Sequence, residues 1–545
     1  MQFILMVSKC SFLRVDRKFK AYYFLRFKVL FCTLSSFQEP IHKLLGLSGI
    51  TQKLSPMSNR LRFIFLFCTL LPLFSLLGQE KTRELNAMLL QGIEDWHIPG
   101  MTAIVVQNGE VVFSEVYGVT EVNAKTPVDR ETLFNMGSTT KAMVAMALGI
   151  LVDQGKLQWS DRVREYLPEF RLSDPYITEE ARVQDLLTHN LGIAGADMLW
   201  FMDSVSTAQT LKRFALAPKE YPLRGGFEYN NLMYATAGEV IHSISGIPWS
   251  EFVEKHLFKP LEMERTVARA SDIFKAGNYV TPYYYSAEEG FIEVPYNLSD
   301  QIGAAGMIWT CAADIEHYLQ MLVGKGVYKG KTILNPETFK YLFEPHALIP
   351  KASFYPTQAL TDPKWTSYGL GWFQHDYRGE KLDFHTGSIG GLIAIAGVIH
   401  EKNTAVYFLA NRDHAELRHA FMYKALDLWA FGDGSRPWHK EVFELYEGFE
   451  KESRGRKKEL VEKRVQNTRP SLGLAAYSGT YTHPMLGTAE VRNTTSSLEV
   501  RFNDFLGYTL EHWHYDTFRS VERDDFQQQP VFSFNLGADG QVKEL

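Results

Sequence analysis

The stretch GMTAIVVQNGEVVFSEVYG, Gly100 to Gly118, constrains the fold more than any other part of the chain. Two β-rich runs meet at Asn108-Gly109, a dipeptide suited to the type I′ turn because both central residues take positive φ. The folded region therefore opens on antiparallel sheet. Strand-like runs return at Leu392–Val398 and Ala405–Ala410. Between them the patterned stretches are helical: the run after Ser138, then Val183–Thr188, Leu232–Ser245, Trp249–Leu257 and Ala313–Val323, with a closing helix near Ala415–Trp429. Helices in the middle and strands at both ends predict an α+β unit whose sheet is completed by residues distant in sequence.

Beyond Gly434 the character changes. HKEVFELYEGFEKESRGRKKELVEKRV is densely charged and reads as a solvated helical linker over 434–470. From 471 onward, alternating runs such as AEVRNTTSSLEVRF and GYTLEHWHYDTFRSVE predict a small all-β domain over 471–545. Its last residues, GADGQVKEL, read as the start of another strand, so a further C-terminal piece is expected.

The 545 residues are 45% hydrophobic and 22% charged, with a formal net charge of −6, an ordinary globular composition. That mild acidity leaves no electrostatic footprint for nucleic acid, and neither a Gly-rich phosphate loop nor an HExxH helix is present. MSNRLRFIFLFCTLLPLFSLLGQEK, from Met57, has two arginines, an uncharged stretch from Phe63 to Gly78, then polar residues. It reads as a signal peptide over 57–78, because the apolar stretch is shorter than the ~20 residues of a membrane span. A periplasmic or secreted protein follows, without a stable membrane span after cleavage. Residues 1–56, with nine Lys/Arg against two acids, read as a non-native or disordered extension, with Met57 as the true start. Cleavage leaves Cys311 as the one remaining cysteine, so no internal disulfide is expected.

Ser138 and Lys141 stand three residues apart where an apolar helical run begins, and Gly155 supplies a left-handed terminator for that run. A serine there is either an N-cap, accepting a backbone N–H of the first turn, or a nucleophile, since residues i and i+3 share a helix face and Lys141 would reach its hydroxyl. By itself the pair decides nothing.

Two further motifs follow in order. RGGFEYNNLMYATAGEVI holds Tyr229-Asn230-Asn231 just before a helix, and DFHTGSIGGLIAIAGVI holds His385-Thr386-Gly387 leading into a strand. The intervals are 229 − 138 = 91 and 385 − 229 = 156 residues. Together with DLLTHNLGI (Asp185–Ile193), GAAGMIWTCAADI (Gly303–Ile315) and YGLGWF (Tyr368–Phe373), these motifs make the chain resemble the penicillin-recognising serine hydrolases, the class C β-lactamase and serine DD-peptidase group, over roughly Lys81 to Gly432.

The resemblance implies a β-lactamase/transpeptidase-like α+β domain over 79–433, antiparallel sheet with a helical cluster, ahead of the β domain. It implies Ser138 as nucleophile, Lys141 as its neighbouring base or proton relay and Tyr229 as a second general base whose phenolate would be favoured by lysine charge. Asn231, His385, Thr386 and Gly387 become substrate-binding residues, Gly387 by letting substrate backbone lie against an edge strand. The backbone N–H groups of Ser138 and Ser388 become the oxyanion hole. His385 stands where class C β-lactamases have lysine and matches the histidine of some DD-peptidases and aminopeptidases. If unperturbed, with a pKa of about 6.5, it would attract a substrate carboxylate more strongly as pH falls.

The expected activity is acyl transfer through a Ser138 ester to water, without metal or organic cofactor, on a small-molecule or peptide substrate. β-Lactams, D-Ala-D-Ala peptides and esters all suit this apparatus, and the sequence leaves oligomeric state undetermined. A D-aminopeptidase, a carboxylesterase and a catalytically silent penicillin-binding sensor stand as alternatives. His189 reads as structural, His512 and His514 lack further metal ligands, and Tyr283-Tyr284-Tyr285 either line the substrate site or cover a loop.

Overall fold

The structure is a computed structural model that describes residues 78–201, 205–502, 506–522 and 529–545. The expected extension (1–56) and signal peptide (57–78) lie outside the described residues, apart from Gly78. Helix α1 (78–95) leads into β1 (Gly100–Gln107) and β2 (Glu110–Gly118), and between them Asn108 and Gly109 take φ of 52° and 83°, as the turn chemistry predicts. The helical middle includes α2 (Thr140–Asp153), α3 (Asn231–Ser245) and α4 (Ala312–Val323). Strands β3 (Ala347–Leu348), β4 (Thr366–Tyr368), β5 (Phe373–Tyr377), β6 (Glu380–Ile389), β7 (Leu392–Ile399) and β8 (Thr404–Ala410) follow, then α5 (Leu417–Leu426).

These strands form one antiparallel sheet of order β2-β1-β8-β7-β6-β5-β4-β3. The first hairpin is thus joined to the last strands, β1 to β8 in register from Met101↔Ala410 to Gln107↔Thr404. Side chains alternate between two cores. Ile104, Val106, Leu392, Ala394, Ala396, Val398, Tyr407 and Leu409 pack in the core that holds the buried residues of α2, α3 and α4. Ala103, Val105, Ile393, Ile395, Val406 and Phe408 belong to the opposite core, with Leu85 and Leu89 of α1 and Leu417 and Phe421 of α5. Burial of both faces is why β7 and β8 read as unbroken apolar runs rather than as alternating ones.

The first turns of the charged segment after Gly434 are buried and not solvated. The segment forms a 25-residue helix, α6 (Trp438–Glu462), whose first turns belong to the hydrolase-like domain. Trp438 is fully buried, stacks on Tyr423 at 4.5 Å between ring centroids and donates Nε1–H to Asp427 Oδ2 (2.7 Å). Val442 is buried one turn later, while exposed i,i+4 pairs such as Glu459–Lys463 occupy the final turns. The average composition of the segment hides this short apolar stripe. The C-terminal domain is a six-stranded antiparallel sheet in sequential order, β9 (Gly479–His483), β10 (Gly487–Asn493), β11 (Leu498–Arg501), β12 (Gly507–His514), β13 (Thr517–Ser520) and β14 (Val531–Ser533), over a core of Tyr477, Val491, Leu498, Val500, Leu510 and Phe518. Val542–Glu544 pairs with Asn535–Leu536. Among the described residues no helix is long and apolar enough to cross a membrane.

Candidate active site

Ser138 lies in a 3₁₀ turn, Gly137–Thr139, immediately before α2. Asn135 Oδ1 accepts the Gly137 N–H (2.6 Å) and Thr139 Oγ1 donates to the Met136 carbonyl (2.8 Å), so the turn is tied down on both sides of the serine. The helix start carries no side-chain cap, and the Ser138 hydroxyl is therefore not the capping group that its position allows. It faces Lys141 instead.

Lys141 is fully buried in α2, a helix apolar nearly all round. Its Nζ contacts Ser138 Oγ (2.9 Å), Asn231 Oδ1 (2.7 Å) and the Ala305 carbonyl oxygen (2.7 Å). Burial pulls its pKa down to about 7, with the Asp197 carboxylate pulling weakly the other way. Once the amine is neutral, two N–H groups remain. Asn231 Oδ1 and Ala305 O can only accept, so those N–H groups stay with them and the lone pair is left facing Ser138, the one partner with a proton to give. The ring centroids of Tyr229 and Tyr234 lie 4.9 and 5.3 Å from the same nitrogen.

Asn231 is the first residue of α3, which Asn230 caps by accepting the Leu232 N–H (3.1 Å). Asn230 N–H in turn donates to His189 Nδ1 (3.0 Å). His189 is buried at φ 57° and its ring packs 4.2 Å from that of Tyr229, so it holds the Tyr-Asn-Asn segment in place. Burial moves Tyr229 well above the ordinary phenol range, and a side-chain interaction with Ser138 opposes this only in part. The phenolate expected from nearby lysine charge is thus not the resting form, because burial penalises the charged phenolate. Tyr229 is a neutral phenol beside the nucleophile.

Strand β6 pairs with β5 only up to Phe373↔Phe384, whereas its pairing with β7 continues to Ile389↔Leu392. Residues 385–389 outrun β5, so an inner strand acquires a local free edge at the motif. Gly387 has a further use within the chain itself. A Cβ there would stand 2.0 Å from the Met136 carbonyl oxygen, so the glycine admits the chain's own nucleophile turn. A Cβ on Gly137, at φ +50°, would stand 2.6 Å from Ser388 N, which places that amide beside the residue preceding Ser138. Thr386 Oγ1 is paired with Tyr355 Oη (2.6 Å).

His385 departs from its expected role. It is 1% exposed, with Nε2 on Tyr368 Oη (2.9 Å) and Nδ1 on the Thr386 carbonyl (2.6 Å). Burial, aided by Lys141, holds its pKa at about 3. The ring is neutral throughout the physiological range, which removes the pH-dependent carboxylate attraction. Tyr283 and Tyr284 are buried in a hairpin strand, with the Tyr283 N–H on the Gly391 carbonyl (3.2 Å) in the turn after β6, and Tyr285 stacks on His97 (3.9 Å). His512 and His514 are engaged with the Tyr515 carbonyl (2.9 Å) and the Val465 N–H (3.4 Å).

Three contributors were not legible in the sequence. The Ala305 carbonyl comes from backbone. Asp197 accepts from Asn231 Nδ2 at 3.2 and 3.1 Å. Arg418 of α5 donates to the Gly387 carbonyl (2.7 Å) and Ser388 Oγ (2.9 Å) while Glu416 grips its guanidinium (2.9 and 2.8 Å).

Residues 85–428 match the Beta-lactamase family, and residues 463–545 match DUF3471, a domain of unknown function. The chain is 27% identical over 433 residues to the Unguisins hydrolase ungD of Aspergillus violaceofuscus (strain CBS 115571), covering 74% of this chain and 75% of that protein. It is 23% identical over 341 residues to Protein flp of Staphylococcus aureus (strain MW2), covering 62% and 64% respectively. The octameric penicillin-binding protein homologue from Pyrococcus abyssi shares the fold, with a TM-score of 0.56 at 21% identity over 84% of this chain and 96% of that one. With its family match spanning well over half of its length, the chain belongs to the Beta-lactamase family.

Proposed function

We propose that this protein is an exported serine hydrolase that cleaves amide, β-lactam or ester bonds through an acyl-enzyme on Ser138. The observation that carries the reading is the Lys141 amine, buried, brought to a pKa of about 7 and left with its lone pair toward Ser138. Ser138 Oγ attacks the substrate carbonyl carbon as its proton passes to Lys141 Nζ, and the N–H groups of Ser138 and Ser388 hold the resulting oxyanion. The C–N or C–O bond breaks, and the leaving group takes a proton supplied through Lys141 and the Tyr229 hydroxyl. Water, deprotonated by the same pair, then attacks the ester and returns Ser138.

The family and the relative named for unguisin hydrolysis support a hydrolase over a silent binding module. The intact Ser138, Lys141, Tyr229 and Asn231 set supports it too. The test is a panel of one β-lactam, one D-Ala-D-Ala peptide and one p-nitrophenyl ester with Ser138→Ala as blank, together with mass spectrometry for an acyl adduct. The expected result is turnover of at least one member and an adduct on the Ser138 peptide. Binding without an adduct or turnover would favour the sensor. Export rests on the 57–78 segment, and N-terminal sequencing of protein recovered outside the cytoplasm should find a start just after Gly78.

A further inference from the structure

We propose that Asp197 is a specificity-determining residue of the Ser138 site, selecting acyl donors that carry a protonated amine over those that carry a carboxylate. This deepens the serine-hydrolase reading and rests on it. The Asp197 carboxylate is exposed, accepts from Asn231 Nδ2 with both oxygens and from Trp200 Nε1 (3.2 Å), and forms no ion pair among the described residues. Asn231 Oδ1 accepts from Lys141 Nζ, which contacts Ser138 Oγ, so three hydrogen bonds link this charge to the nucleophile. Asn231 Nδ2 is the side chain's one donor group, with two N–H groups, so a substrate carbonyl that engages it does so beside Asp197. A substrate engaged there comes within reach of Asp197, and a carboxylate has acceptor sites to spare.

The other charges around the site favour the same sign of ligand. A substrate carboxylate needs a free cation, and among the described residues the cations around the site are engaged: Arg412, whose Nε has no hydrogen-bond partner there, sits in the field of the Asp413, Glu416 and Glu450 carboxylates. Arg418 is closed on Glu416, His385 is closed on Tyr368 and the Thr386 carbonyl, and His189 is buried among aromatic rings. Lys141 is committed to Ser138, Asn231 and Ala305. Glu228, next to Tyr229, adds a second acid without an ion pair among the described residues, its Oε1 3.4 Å from where a Cβ on Gly195 would stand. An ammonium group therefore meets two carboxylates, Asp197 being offset in part by the protonated fraction of Lys141, and a substrate carboxylate meets repulsion.

The experiment compares alanine p-nitroanilide, in both configurations, with its N-acetyl (neutral) and N-succinyl (anionic) derivatives at about pH 7, for the full-length wild type, Asp197→Asn and Asp197→Glu. Alaninamide and N-succinylalaninamide are also measured as inhibitors of p-nitrophenyl acetate hydrolysis, so that discrimination is read even where the anilides turn over slowly. We expect the wild type to favour the free amine over its acetyl derivative by about tenfold or more in kcat/KM, mainly through KM, with the succinyl compound poorest. Asp197→Asn should lower the amine-to-acetyl ratio about tenfold, Asp197→Glu should keep part of it, and added salt should compress it. Because only ratios are read, a loss shared by all substrates through Asn231 or Lys141 cancels. A wild-type ratio at or below one, in turnover and in inhibition alike, or a ratio unmoved by Asp197→Asn, overturns the proposal. If p-nitrophenyl acetate is not hydrolysed and no Ser138 adduct forms, the serine-hydrolase reading fails first.

Discussion

Lys141 places an ammonium-bearing side chain where water does not reach, and its neighbours decide what that costs and what it provides. Its ordinary pKa is 10.5 and burial brings it to about 7. If the neutral amine is the base, kcat/KM for an uncharged ester should rise through a limb near pH 7 and fall below it as Lys141 protonates. The same shift affects stability. Between about pH 7 and 10.5 the unfolded chain binds a proton that the folded one does not, so this group makes stability rise with pH across that window, and below it the cost of burying the charge is fully present. Lys141→Met should accordingly abolish turnover yet raise the melting temperature at neutral pH, by a stability gain on the order of a few kcal/mol. A lowered melting temperature would mean that the three hydrogen bonds outweigh desolvation. Ser138→Ala and Lys141→Ala should each lose about a thousandfold or more in kcat/KM, and the double variant little beyond either. Independent, additive losses would break the pairing. Substituting His385 by Gln should leave the pH limb in place, since the ring does not titrate in that range.

At the level of elements, the site depends on how tightly the Ser138 turn is pressed against β6. Gly387→Ala puts a methyl group into the Met136 carbonyl, so turn or strand must move. A displacement of about 1 Å costs on the order of a hundredfold in rate, and that loss is expected in kcat with KM less affected. Behind the strand, α5 supplies Arg418, which ties the Gly387 carbonyl and Ser388 hydroxyl to a buried Glu416. Removing one partner leaves the other charge buried and alone. Arg418→Met should therefore destabilise by about 3–5 kcal/mol, while Arg418→Met with Glu416→Leu should recover much of that stability without recovering activity. Recovery of both would make the pair a packing device with no hold on the Ser388 amide.

For the whole molecule, the question is where the hydrolase domain can be separated from the β domain. A cut near Gly434 removes Trp438 and Val442 from the core that α1, α5 and the sheet share. A chain ending after Glu462 keeps them. That longer truncation should fold and hydrolyse small neutral esters, whereas one ending at Gly434 should show a lowered, broadened thermal transition. The β domain also touches the first domain, with Met485 and Leu486 packed on its core and Gly487 beside Arg213 of the helix Thr207–Phe214. Removing it should raise KM for bulky substrates more than for p-nitrophenyl acetate. Equal effects on both would exclude a part for this contact in substrate access.

The sequence alone determined what depends on local chemistry. Asn108-Gly109 specified its turn because few residues accept two positive φ angles, and Gly155, at φ +68°, ended α2 as such residues do. The order of Ser138, Lys141, Tyr229, Asn231 and His385-Thr386-Gly387 made the family legible, since those side chains are specified together by one reaction. Tertiary structure decided what depends on burial and on neighbours far along the chain. Whether His385 carries charge, whether Tyr229 is a phenolate and whether Gly387 admits substrate or its own chain are questions about solvent access and backbone contacts, and no local pattern encodes them. Trp438 looked solvated because its neighbours in sequence are charged, while its neighbours in space are Tyr423 and Asp427. Asp197 and the Ala305 carbonyl could not be read from a motif at all, because what places them beside Asn231 and Lys141 is the packing of distant segments around one buried amine.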